Sequence, residues 1–102
     1  MIVAFSIAPS GGADGTDSVH DAVAAAVTIV RESGLPNQTD SMFTTIEGDW
    51  DEVFAVIKAA TEAVGQFGSR VSLVLKADIR PGRTGEMTGK VERLEQAIIR
   101  AE

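Results

Sequence analysis

The sequence predicts an α+β domain of the split βαβ kind: a four-stranded antiparallel sheet with helices on one face and a further helix at the C-terminal end. Three observations lead there. Apolar residues recur at helical spacing in three stretches, short apolar or β-branched runs separate them, and Gly, Pro and Asp punctuate the junctions. The resulting order is strand, helix, short strand, strand, helix, strand, helix.

Ile2 to Ala8 is an apolar run too short for a helix and reads as a central strand. Pro9-Ser10-Gly11-Gly12-Ala13-Asp14-Gly15 ends it; the segment lacks the spacing of a phosphate-binding loop and reads as a connector, with a ligand-closing loop as the alternative. Asp17 or Ser18 caps the first helix, with Asp21 completing a capping-box-like arrangement. Val19, Val23, Val27 and Val30, with Ala26 between them, make its apolar stripe, and Gly34 and Pro36 stop it.

Gln38 to Asp40 reads as a short edge strand, joined by a tight hairpin near Asp40-Ser41 to a strand from Met42 to Gly48. Asp49 then caps a second helix with Glu52 three residues on, and Val53, Ile57, Ala60 and Val64 share one face of it. Gly65-Gln66-Phe67-Gly68 closes the helix; Arg70 to Ile79 alternates as a long strand, and Pro81-Gly82-Arg83-Thr84-Gly85 is its exit turn. A last helix, capped by Thr88, uses Val91, Leu94 and Ile98. Two βαβ-like halves joined by a hairpin form a ferredoxin-like domain over residues 1–102, and right-handed crossovers make the first and third strands antiparallel neighbours.

Strand parity separates two faces. Val3, Phe5 and Ile7, with Ile46 and the odd-numbered positions Val71 to Ile79, belong under the helices. The opposite face displays Ser6, Phe43, Thr45, Glu47, Ser72, Lys76 and Asp78 around small Ala4 and Ala8. Such a surface suits a flat molecule with polar edges: Phe43 stacks, Ser6 and Thr45 meet ring-edge atoms, and Glu47 accepts from an amine. The ligand-binding candidates are therefore Ser6, Phe43, Thr45, Glu47, Lys76 and Asp78. An oligomer contact, or a solvated face with a Glu47–Lys76 surface pair, fits the same pattern.

Composition narrows the classes. The chain has 102 residues, enough for one domain with a real core, and a formal charge of −6 that disfavours nucleic acid and anionic lipid. With no cysteine there is no disulfide or thiol chemistry, and a single histidine, His20, rules out a histidine metal cluster. Asp49, Asp51 and Glu52 read as helix-start acids rather than cation ligands, and Trp50 as a packing residue or a subunit contact. Neither a catalytic trio nor a membrane-length apolar run is visible, so the expectation is a cytoplasmic protein that is not an enzyme and uses no cofactor or metal.

Thr44-Thr45-Ile46-Glu47-Gly48-Asp49-Trp50-Asp51-Glu52-Val53, with Val3-Ala4-Phe5-Ser6-Ile7-Ala8-Pro9 and Lys76-Ala77-Asp78-Ile79-Arg80, resembles the small thiamine-binding protein family over nearly the whole chain. The resemblance implies a ferredoxin-like fold, assembly as a homodimer or homotetramer through the sheets, and non-enzymatic binding of thiamine or its hydroxymethylpyrimidine part. Carried over by position, Ser6, Phe43, Thr45 and Glu47 are the implied pocket residues. The chain departs from many relatives at Ile79, where a further charged residue is common, and at Phe43-Thr44, where several have Met-Gly.

Overall fold

A computed structural model of the chain describes residues 1–11 and 17–101, with the side chains of Asp17 and Ser18 left aside. The elements are β1 (Ile2–Ser10), α1 (Asp17–Glu32), β2 (Asn37–Thr39), β3 (Thr44–Glu47), α2 (Trp50–Val64), a 3-10 turn (Gly65–Phe67), β4 (Arg70–Asp78) and α3 (Glu86–Ala101). The sheet order is β2-β3-β1-β4 with every pairing antiparallel, which is the ferredoxin-like arrangement expected.

β1 runs two residues further than the sequence suggested. Pro9 and Ser10 pair with Val71 and Arg70, whereas β3 ends its pairing with β1 at Phe5↔Thr44. Beyond Phe5 one side of β1 is therefore a free edge, where a proline without an N–H interrupts no ladder. The Gly-rich connector and the capping arrangement expected around Ser18 lie largely outside the described residues. At the far end of this ladder Gly68 is required by close approach: a Cβ there would stand 2.5 Å from the Ser10 carbonyl oxygen.

The core lies between the sheet and α1/α2. Val3, Phe5, Ile7 and Ile46 meet Val53, Ile57, Ala60 and Val64, the α2 face expected from sequence. On α1 the buried stripe is Ala22, Ala26 and Val30, while Val19 and Val23 are exposed. This corrects the valine stripe in part: Ala26 and Val30 are buried as expected and Val27 is half-buried, while Ala22 takes the place of Val19 and Val23. Two of the three buried positions are alanine, and small side chains let packed helices approach closely.

Two further expectations change. The hairpin is fixed by Asp40, whose Oδ1 accepts from the N–H of Met42 and of Phe43, so pairing in β3 begins only at Thr44. On β4, Val71 and Ala77 are half-buried against the core, but Leu73 and Leu75 are each 37 % exposed because two helices do not cover the outermost strand.

α3 projects from this body. The radius of gyration is 15.7 Å with extents of 54 × 31 × 20 Å, against ~13 Å for a compact chain of this length. Val91, Leu94, Ile98 and Ile99, on one side of α3, are all exposed.

Candidate functional site

The helix-free sheet face carries the parity predicted. Ile2, Ala4 and Ser6 lie on it, Glu47 and Asp78 flank Ile2, and Thr45 and Lys76 flank Ala4. The six candidates do not form one constellation, however. Ser6 and Glu47 are separated by four strand positions, roughly 13 Å at ~3.3 Å per residue. Ser6 and Phe43 line a small cavity of about 180 Å³ below α1, together with Val23, Thr39 and Thr44. Lys76 is exposed and forms no ion pair among the described residues; Asp78 is bonded by Lys90. The Glu47–Lys76 surface pair is accordingly not formed.

Glu47 is instead 6 % exposed and spoken for. Its Oε2 accepts from the N–H of Glu86 at 2.7 Å, and its Oε1 accepts from the N–H of Met87 at 3.2 Å. The carboxylate thus caps α3 from 39 residues away, satisfying two of the helix's free amides and meeting its positive end. This replaces the cap assigned to Thr88, whose hydroxyl donates to the Gly85 carbonyl. Sequence reading could not pair Glu47 with α3, since no local pattern links them.

Glu47 also lines a much larger cavity, about 640 Å³, at the end of the sheet. Its walls are the β3–α2 junction and the segment after β4. On the first wall Gly48 gives a tight turn, in which an added Cβ would press on Val53, and Asp49 starts α2 with the capping box expected. Asp49 accepts from the N–H of Glu52 at 2.9 Å, and the Glu52 carboxylate returns the contact to the Asp49 N–H. Trp50 stands next to them, 55 % exposed, stacked on Phe54 with ring centroids 5.2 Å apart. The facing wall is Ile79 to Gly85, with Arg80 and Arg83; Met1, Leu35 and Pro36 complete the lining.

The volume falls within the ~300–1,000 Å³ of small-molecule sites, and an apolar lining with a few convergent charged groups is their usual chemistry. Glu47 and Asp49 keep unused lone pairs, because each carboxylate offers about four acceptor directions. Trp50 offers a face for a planar or cationic ring. Sequence reading missed Trp50 as a lining residue; its place one step inside α2, two residues past Gly48, was the available signal.

Behind the Arg wall, Glu86 is 7 % exposed and is bonded by Arg93. The Arg93 bond, with added attraction from Arg93, Arg83 and Arg80, holds the Glu86 carboxyl below its ordinary range against the opposing effect of burial. Asp78 is lowered chiefly by its bond to Lys90, and Asp40 chiefly by the amide of Phe43. Carboxyls whose folded pKa lies below the unfolded value contribute stability that is complete above ~4, the unfolded carboxylate range. That contribution is lost as pH falls through the folded values. Urea midpoints are thus expected to drop below about pH 4, and less so in Glu86→Gln. A decline beginning between about pH 5 and 7, where only histidine ordinarily titrates, would contradict this origin.

Comparison with known proteins places the arrangement. A family model described as thiamine-binding protein matches residues 3–95. A UPF0045 protein of Mycobacterium tuberculosis is 52% identical over 103 residues, covering 100% of this chain and 98% of its own. Among solved structures, a hypothetical protein from Methanocaldococcus jannaschii superposes with a TM-score of 0.80 at 29% identity, covering 92% of this chain and 94% of its own. A domain of unknown function from Bacillus cereus gives a TM-score of 0.72 at 29% identity, covering 84% of this chain and 83% of its own.

Proposed function

Since the chain belongs to the thiamine-binding protein family, we propose that it binds thiamine, or the aminopyrimidine part of it, without turning it over. The binding place is the cavity at the end of the sheet rather than the sheet face. The observation that carries this reading is the pairing, in one roomy cavity, of a carboxylate wall (Glu47, Asp49, Glu52) with the half-exposed indole of Trp50. Thiamine supplies the complements: a permanently cationic thiazolium for the indole and acids, and an exocyclic amine for the free lone pairs of Glu47.

A homo-oligomer completes the proposal. The apolar side of α3, with Val91, Leu94 and Ile98, and the uncovered Leu73 and Leu75 of β4 are surfaces that a second copy would bury. The same surfaces favour a rival reading, a cytoplasmic interaction module whose only task is assembly.

Calorimetric titration with thiamine and hydroxymethylpyrimidine separates the two. The binding reading expects saturable heat for at least one ligand, and a loss of about 10-fold or more in Trp50→Ala against little change in Phe43→Ala. Absence of heat from both ligands, in a protein that light scattering shows to be assembled, would favour the module.

A further inference from the structure

Cations are scarce in this chain, nine against fifteen acids, yet four of them, Arg80, Arg83, Lys90 and Arg93, pair with Asp78 or Glu86 around the β4–α3 junction, and the first two line the large cavity. Lys90 is engaged by Asp78. The three guanidiniums converge on the single carboxylate of Glu86, although one is enough to neutralise it.

Their roles divide by distance. Arg93 makes the hydrogen bond to Glu86. Arg80 and Arg83 stay 3.7 Å from its oxygens, and neither side chain donates a hydrogen bond among the described residues. Both are more than half exposed, at 54% and 55%, and both line the cavity. Gly82 and Gly85, on either side of Arg83 and Thr84, have φ of +77° and +68°, and a Cβ added at either would meet nothing within 4 Å.

The cavity is therefore polarised. Acids stand at the start of α2, and two guanidiniums with unused donors stand on the facing segment. A guanidinium fork matches the oxygens of a phosphate, and a site of this pattern fits a molecule that is cationic at one end and anionic at the other. We propose that Arg80 and Arg83 form a phosphate subsite, so that the cavity takes phosphate esters of its ligand in preference to the free alcohol. The identity of the cationic end rests on the reading given above; the subsite itself rests on the arginines alone.

The test titrates thiamine, thiamine monophosphate, thiamine diphosphate and inorganic pyrophosphate into the wild type, the Arg80→Ala/Arg83→Ala double variant and Arg83→Lys. The expected result is that the phosphate esters bind about 10- to 100-fold tighter than thiamine, with a preference that weakens with added salt. In the double variant the preference for the esters over thiamine collapses, and Arg83→Lys, which keeps the charge without the fork, lies between. Esters that bind no tighter than thiamine to the wild type overturn the subsite, whether or not the double variant folds. So does a preference that survives in a folded double variant. Arginine-dependent binding of pyrophosphate and the esters, with none of thiamine, keeps the subsite and removes the thiamine reading. Silence from all four ligands removes both.

Discussion

Glu47→Ala is expected to lower the unfolding free energy by about 2–3 kcal/mol, since it deletes two charge-assisted hydrogen bonds and leaves amides at a helix start without partners. Glu47 is nearly buried, and its two oxygens separately hold the N–H groups of Glu86 and Met87. The loss should be felt first in α3, whose other ties to the body include the Lys90–Asp78 ion pair and the attraction of Arg80 for Glu86. Faster hydrogen exchange at the Glu86 and Met87 amides and reduced helical ellipticity should accompany the drop in urea midpoint. Glu47→Gln, which keeps one acceptor oxygen but no charge, should cost about 1 kcal/mol. An unchanged midpoint in Glu47→Ala would show that the cap does not hold α3.

Phe5→Ala is expected to cost more, about 3–5 kcal/mol, as a large-to-small change in a closed core. Phe5 is 2 % exposed in the central strand, paired with Thr44 on one side and Leu75 on the other. Removing it leaves space that β1, tied to strands on both sides, cannot close by shifting. Its neighbour Ser6 points to the other face, and Ser6→Ala should change stability by no more than about 0.5 kcal/mol. Leu75→Ala belongs between them, because that side chain is already 37% exposed. Chemical denaturation of the three variants tests the parity of β1 directly; similar losses in Phe5→Ala and Ser6→Ala would contradict it.

What the sequence made legible follows local rules. Alternation placed Val3, Phe5, Ile7 and Ile46 in the core, and the Asp49–Glu52 spacing located the start of α2 with its capping box. These depend on residues one to four positions apart, where period and capping chemistry operate. The α1 stripe was misread in part: Ala26 and Val30 are buried as expected, but the greater hydrophobicity of Val19 and Val23 drew them into the stripe where small Ala22 is the buried residue. The gathering of Ser6, Phe43, Thr45 and Glu47 into one place was misread for a related reason. Parity assigns a face but not a position along the strand, and Glu47 lies at one end of the β1–β3 ladder while Ser6 lies just beyond the other. The cap on α3 and the Arg80, Arg83 and Arg93 cluster around Glu86 are tertiary, and no periodicity announces them.

Trp50 is the only tryptophan of the chain and stands in the wall of the proposed binding cavity, so its own emission reports occupancy. Thiamine added to the wild type, with excitation at the red edge of the indole band, is predicted to quench or shift that emission saturably, with a midpoint equal to the calorimetric one. Calorimetric saturation with an unaltered Trp50 emission would place the ligand elsewhere and contradict the assignment of this cavity.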